Sequence, residues 1–192
     1  MLTARIVFDK ITEMNGVQGA LACPLNPIGV TAQTYHETGA YHHTCGKDNV
    51  NLAGVKCSAN WLDGRIPWST RRCTDPLKTQ EFVSGKYGDY KLTFRWYDSL
   101  ETYLKDHSRL INLYYPTSKA NADCVWGYVA GLYGKWATSP AYFQSLVKAV
   151  IRLAPELLED DWHERLRNAF ICAVQRNVLT PAQTALLHNS LM

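Results

Sequence analysis

Two glutamates in this chain can form a chemical pair. Glu37 lies in the stretch "QTYHETGAYHHTCGKDNVNLAGVKC", Gln33 to Cys57, among aromatic and polar residues. Glu81 lies in "TQEF". One carboxyl group can protonate a leaving oxygen while a second activates water or attacks carbon, and glycoside hydrolysis uses such a pair. A carboxyl at a helix end packed against Tyr and Ala loses hydration. That disfavours its charged form and raises its pKa, as a proton donor near neutral pH requires. The bland alternatives are a surface charge in a last helical turn for Glu37, where the helix dipole penalises it only weakly, and an exposed strand residue for Glu81.

Other reactive side chains add less. His36, His42 and His43 stand near Cys45, but their spacing fits no common metal site, so they read as loop or groove lining. No metal and no organic cofactor is expected. Six cysteines, at positions 23, 45, 57, 73, 124 and 172, form no C-x-x-C pair. An even count allows up to three disulfides or six free buried thiols, and a bridge would help most among Cys45, Cys57 and Cys73. Most tryptophans at this frequency belong to a core. Trp136 and Trp61 are the ones expected to line a groove.

These groups need elements to hold them. Val7, Ile11 and Met14 share one helical face, ended by Asn15-Gly16. Asn26-Pro27 reads as the cap and first residue of a second helix. Ile28, Ala32 and Tyr35 form its buried stripe, and Gly39 follows its end. Glu37 then sits in the last turn, on a face shared with Val30 and Gln33 that is expected to open onto a groove. Residues 40 to 78, with Gly46, Gly54, Gly64, Pro67 and Pro76, read mostly as loop. "KTQEFVSGKYGDYKLTFRWY" holds two extended runs around a Gly-rich turn. Leu92, Phe94 and Trp96 alternate with Lys91, Thr93 and Arg95 as in a half-buried strand.

Asp98 with Glu101 has the spacing of a capping box for a long helix. Leu100, Tyr103, Leu104, His107, Ile111 and Tyr114 are its expected inner face. Further helices are expected near Cys124 to Leu132, from Ser139-Pro140 until Pro155 stops it, and twice in the tail. The first of these buries Trp162, Leu166, Ala169, Phe170 and Val174; the second opens at Thr180-Pro181. The whole is α+β, mostly α: a helical domain with one small β-hairpin lobe.

Bulk properties narrow the classes. A chain of 192 residues with 46% hydrophobic and 19% charged residues folds around a real core. A net charge of +3, with Arg71-Arg72 as its densest basic cluster, is too thin for a nucleic-acid stripe. It would weakly suit a polyanionic cell wall. No apolar run reaches the length of a membrane helix. Arg5, Asp9 and Lys10 interrupt any signal-peptide core, so a cleaved N-terminal signal is not expected.

Ordered motifs sharpen this. "AQTYHETG" resembles the helix ending in Glu-Ser-Gly of glycoside hydrolase family 73, the peptidoglycan glucosaminidases that include flagellar cell-wall hydrolase domains and autolysins. "NLAGVK", Asn51 to Lys56, is similar to that family's Asn-Leu-Phe-Gly-Ile-Lys. "TQEF" resembles its hairpin Thr-x-Glu-Tyr, "FRWYDS" its strand-to-helix junction, and "KWATSPAYF" its Gly-Tyr-Ala-Thr-Asp-Pro-x-Tyr segment. These matches run in family order across roughly residues 28 to 150. Ala40, Ala53 and Trp136 replace the family's Trp, Phe and Tyr.

The resemblance implies a lysozyme-like domain, taken as residues 1–152; the tail, 153–192, lies outside the resemblance and reads as a helical extension packed on that domain. It implies an endo-β-N-acetylglucosaminidase acting on peptidoglycan glycan strands, with Glu37 as general acid and Glu81 as second carboxylate. Asn51, Trp136, Tyr142 and Trp61 would bind substrate, Tyr142 doubling as packing. The rivals are a muramidase on the same fold and an inactive wall-binding module. The site of action would be the cell wall or periplasm, reached by phage lysis, virion or secretion-system delivery. A cognate inhibitor protein joins the partners if the chain is a toxin.

Overall fold

The computed structural model describes residues 2–45, 48–62, 72–83 and 85–192. Gly46, Gly64, Pro67, Trp68 and Arg71 lie outside them. As the sequence suggested, the protein is mostly helical with one small hairpin. Helix α1 (Ala4–Asn15) buries Val7, Ile11 and Met14, as its spacing requires. Helix α2 (Pro27–Glu37) starts where the Asn26 side chain accepts from the Gly29 N–H. It runs through the centre of the molecule, with every residue from Ile28 to Thr34 buried. Val30 and Gln33, expected on a groove-facing side, are therefore core, and only the helix end is open. Gly29 allows the close approach of the neighbouring helix α6 (Val125–Leu132): a Cβ there would lie 2.8 Å from the Tyr128 ring.

After the single turn α3 (Ala59–Leu62), strands β1 (Leu77–Val83) and β2 (Lys86–Leu92) pair antiparallel, with Glu81 opposite Gly88. Beyond β2 the chain continues in isolated bridges, Phe94 with Lys56 and Arg95 with Cys73. The Cys57–Cys73 disulfide clips these segments together, within the loop-rich region where a bridge was expected.

Arg95 corrects the alternation reading. It is only 7% exposed and donates to Asp106 at 2.6 Å. Asp106 is fully buried and also accepts from the Tyr97 hydroxyl at 2.6 Å and Arg109 at 2.9 Å. A buried carboxylate is tolerated because it is so fully paired.

Asp106 belongs to α4 (Leu100–Tyr114). Its cap is Ser99, which accepts from the Thr102 N–H, one residue later than the Asp98 expectation. Tyr114, expected inside, is 60% exposed. After the short α5 (Pro116–Ala120) and α6 comes α7 (Tyr142–Leu157), which buries Phe143, Leu146, Val147 and Val150 against α2. Full burial of such side chains contributes about 1.5–3 kcal/mol each. Pro155 does not stop α7; the helix carries it in its last turn, where its missing N–H removes one intrahelical bond and only two helical residues follow.

Helices α8 (Trp162–Gln175) and α9 (Pro181–Leu191) close the fold. The Trp126 indole donates to the Leu166 carbonyl at 2.9 Å, and Arg176 forks onto Asp123 at 2.6 and 2.7 Å. These bonds hold α8 along the start of α6. Helix α7 passes unbroken through positions 152 and 153, so the tail continues a core helix.

Candidate active site

Glu37 is the last residue of α2, and the turn after it fixes its position. Gly39, Ala40 and Tyr41 all adopt left-handed conformations, with φ of 56, 63 and 66°. Glycine adopts this region freely, whereas each L side chain costs roughly 1–2 kcal/mol. Tyr41 is held there by its own contacts. Its N–H donates to Thr38 Oγ1 at 2.8 Å, and its hydroxyl lies 3.0 Å from Thr34 Oγ1. Its ring meets Tyr35 edge-on. The turn thus folds back on α2 and leaves the Glu37 carboxyl pointing into a groove of about 710 Å³.

The groove lies between the helical body and the hairpin. Glu37, His36 and Tyr142 form one wall, Glu81, Thr79 and Tyr87 the other, with Asn51 to Gly54 and Trp136 to Ser139 along its length. The hairpin meets no helix in a close packed face among the described residues. Polar ties across the groove are Lys56 Nζ to Glu81 at 2.8 Å and the Tyr87 hydroxyl to Ser139 Oγ at 3.3 Å.

Electrostatics separate the two carboxyl groups. The Glu37 side chain touches solvent along the groove, yet protein surrounds it on most sides. Lost hydration pushes its pKa up to about 7, the Glu81 charge adding to the rise and the Tyr142 hydrogen bond opposing it. That bond runs from the Tyr142 hydroxyl to Oε1 at 2.8 Å. Water reaching the groove floor limits the rise. Partial loss of hydration holds His36 below the ordinary imidazole range, which favours its neutral form beside Glu37. Cys45 also lines the groove, but burial, with the Glu37 charge second, pushes its thiol up to about 11. It is a wall residue, not a nucleophile. Glu81 differs from Glu37 in having a cation bonded to it.

The structure brings Glu37, Glu81, Asn51, Trp136 and Tyr142 to one groove. It does not bring Trp61, which is fully buried, packs edge-on against Tyr97 and donates its indole N–H to the Arg72 carbonyl. Asn51 lines the groove, but its amide is committed elsewhere. It donates to the Val55 and Arg95 carbonyls and accepts from the Val55 N–H, all at 2.9 Å. The tight run from Asn51 to Lys56 is therefore a loop clasped by its own first residue and pinned to Arg95. Trp136 packs at a tilt against His107, with ring centres 5.0 Å apart, and Tyr115, at 5.4 Å, and donates to the Ala53 carbonyl at 3.1 Å.

Sequence reasoning did not mark Lys56, Tyr87 or Ser139 as site residues, although it named Lys56 within a motif and Ser139 as a helix start. Lys56 ends the clasped loop, and that motif was the only signal for it. No three His, Cys, Asp or Glu side chains among the described residues gather as a metal site.

Comparison with known proteins agrees with this picture. No curated protein matches the sequence. A peptidoglycan hydrolase from Sphingomonas sp. A1, solved as a mutant, has the same fold at 20% identity. It matches with TM-score 0.58 over 86% of this chain and 96% of its own. A C-terminally truncated glycoside hydrolase domain of Salmonella typhimurium FlgJ matches at 22% identity and TM-score 0.53, over 78% of this chain and 92% of its own. The catalytic domain of the Listeria monocytogenes autolysin Auto matches at 23% and 0.52, over 78% of each chain. At such identities these likenesses establish the lysozyme-like fold. Residues 18–154 match the glucosaminidase family, described as mannosyl-glycoprotein endo-beta-N-acetylglucosaminidase. That span covers well over half of the chain and holds both groove walls, so the chain belongs to the glucosaminidase family and is a glycoside hydrolase of the endo-β-N-acetylglucosaminidase class.

Proposed function

We propose that the protein cuts the β-1,4 bonds of peptidoglycan glycan strands on the N-acetylglucosamine side, with Glu37 as general acid. The observation that carries this reading is a carboxyl group on one wall of an open groove, held by the Tyr142 hydroxyl at 2.8 Å, with a second carboxylate on the other wall; the raised pKa of Glu37 agrees with it. At neutral pH a large fraction of Glu37 is protonated, so it can donate to the leaving oxygen without first taking up a proton. Glu81, paired with Lys56, either activates water on the opposite face of the sugar or assists attack by the substrate's own 2-acetamido group. Trp136 offers a flat apolar face to a sugar ring, and Tyr142 acts through Glu37. Peptidoglycan as substrate is supported by the peptidoglycan hydrolase of Sphingomonas sp. A1, which shares the fold.

The corresponding site of action is the cell wall or periplasm. No helix among the described residues is long and apolar enough to cross a membrane. The Cys57–Cys73 disulfide suits an oxidising compartment. Residues 1–152 would supply the catalytic unit, with 153–192 as its packed extension. A cognate inhibitor protein is the partner that an antibacterial-toxin role would add.

Digestion of purified peptidoglycan, borohydride reduction and mass spectrometry test the reading together with Glu37→Gln. New N-acetylglucosaminitol ends are expected from the wild type. Glu37→Gln should lose about 10²-fold or more of the rate, the lower range for general-acid catalysis. Muramitol ends alone would overturn the bond assignment. A Glu37→Gln protein with more than about a tenth of the activity would overturn the acid, given that ~10²-fold expectation.

A further inference from the structure

Gln33 is fully buried, and both polar atoms of its amide lack a hydrogen-bond partner. Desolvating an amide without a partner is costly, so its retention at the centre of α2 needs a reason. It lies one helical turn before Glu37, on the same side of the helix. Its amide stands beside the Tyr142 hydroxyl, near enough to act on it but without the geometry of a completed bond. That same hydroxyl donates to Glu37 Oε1 at 2.8 Å.

We propose that Gln33 is a positioning residue for the acid: its amide N–H turns onto the Tyr142 oxygen, commits the phenolic proton to Glu37 Oε1, and so places the transferable proton on Oε2. The chemistry rests on donor counts. A phenol has one proton to give and lone pairs to receive. An amide N–H on those lone pairs leaves the proton free only for the carboxyl. A neutral carboxyl that accepts at Oε1 uses its carbonyl oxygen there, so its own proton is on the other oxygen. Bonds in such a chain polarise one another, which strengthens the Tyr142 contact with the ionised form in particular. The inference rests on the reading of Glu37 as the acid.

The test compares Gln33→Met, of similar size and without an amide, in wild-type and Tyr142→Phe backgrounds, with Glu37→Gln alongside. Rates of glycan release from purified peptidoglycan are measured from pH 5 to 9, with Tm for every variant. Gln33→Met should fold with an unchanged or raised Tm. Its kcat should fall by about 3- to 10-fold at little change in KM, a part of the ~10²–10⁴-fold of acid catalysis. Its basic limb should move up by about 0.1–0.3 pH unit, a roughly 10–30% share of the shift of about one unit that loss of the whole Tyr142 bond would give. Added to Tyr142→Phe, it should change neither limb nor kcat. An unmoved rate and limb, or an equal effect in both backgrounds, overturns the relay. Gln33→Leu repeats the test if Gln33→Met does not fold, and failure of both to fold makes the amide a core requirement and overturns it as well. An active Glu37→Gln removes the acid reading itself, whereas an inactive Glu37→Gln with a silent Gln33→Met removes only the relay.

Discussion

Replacing Tyr142 by Phe takes one atom from the site, the oxygen that donates to Glu37 Oε1 at 2.8 Å. The ring stays, and because Tyr142 is only 4% exposed, its packing against α2 is kept. A hydrogen bond to a charged acceptor is worth about 1.5–3 kcal/mol and one to a neutral acceptor about 0.5–1.5 kcal/mol. The hydroxyl therefore favours ionised over protonated Glu37 by about 1–1.5 kcal/mol, or about one pH unit at 1.36 kcal/mol per unit. The wild-type pKa of about 7 already includes this opposing pull. Removing it should move the basic limb of the pH–rate profile upward by about one unit, with the acid limb in place. Glycan release measured from pH 5 to 10, with substrate below KM, reads the free enzyme. A limb that stays put or moves down would refute the claim that this hydroxyl opposes the desolvation of Glu37.

Glu37→Gln should alter stability with a definite sign. The folded pKa is raised from 4.5 to about 7, so the charged form weakens the fold; that effect is absent below the unfolded value and complete above the folded one. The variant's Tm should match wild type near pH 4 and exceed it at pH 8 to 9 in scanning calorimetry. Glu81→Gln should lose activity with almost no change in Tm, because an exposed ion pair such as Lys56–Glu81 contributes only about 0–1 kcal/mol; full activity would shift its role to the substrate's acetamido group. Asp106→Ala leaves Arg95 buried without its carboxylate and should cost about 3–5 kcal/mol in urea denaturation. Cys57→Ser opens a loop of sequence separation 16 and should lower stability by about 3 kcal/mol in the chain-entropy account, reproduced by reductant on the wild type.

Local signals in the sequence recovered most of the frame. Asn26-Pro27 and Gly39 marked both ends of α2 because caps depend on neighbours in the chain, and two extended runs around a Gly-rich turn marked the hairpin, whereas the alternation over residues 91 to 96 lay mostly beyond its second strand. What failed was decided at a distance. Arg95 reads as the polar side of an alternating strand until Asp106, eleven residues on, turns it inward. Trp61 was indistinguishable from a sugar platform until Tyr97 and the Arg72 carbonyl enclosed it. Lys56 could be seen as the end of a motif, but its ion pair with Glu81 spans 25 residues. Nor could composition show that Ala40 and Tyr41 are left-handed, since that conformation is held by Tyr41's contacts with Thr34, Thr38 and Tyr35.

The hairpin's ties bear on the medium in which the protein works. Lys56–Glu81 is open at its lysine end and half-buried at Glu81, with side chains 53% and 26% accessible, and Tyr87–Ser139 is open to water. Screening weakens exposed pairs as ionic strength rises, the Debye length being roughly 8 Å at 0.15 M. Salt therefore loosens the clamp on one groove wall while leaving the buried Arg95–Asp106 anchor untouched. A cell wall is a charged gel whose internal ion content differs from that of the bulk. The opening between the two groove walls is thus expected to follow the local ion atmosphere.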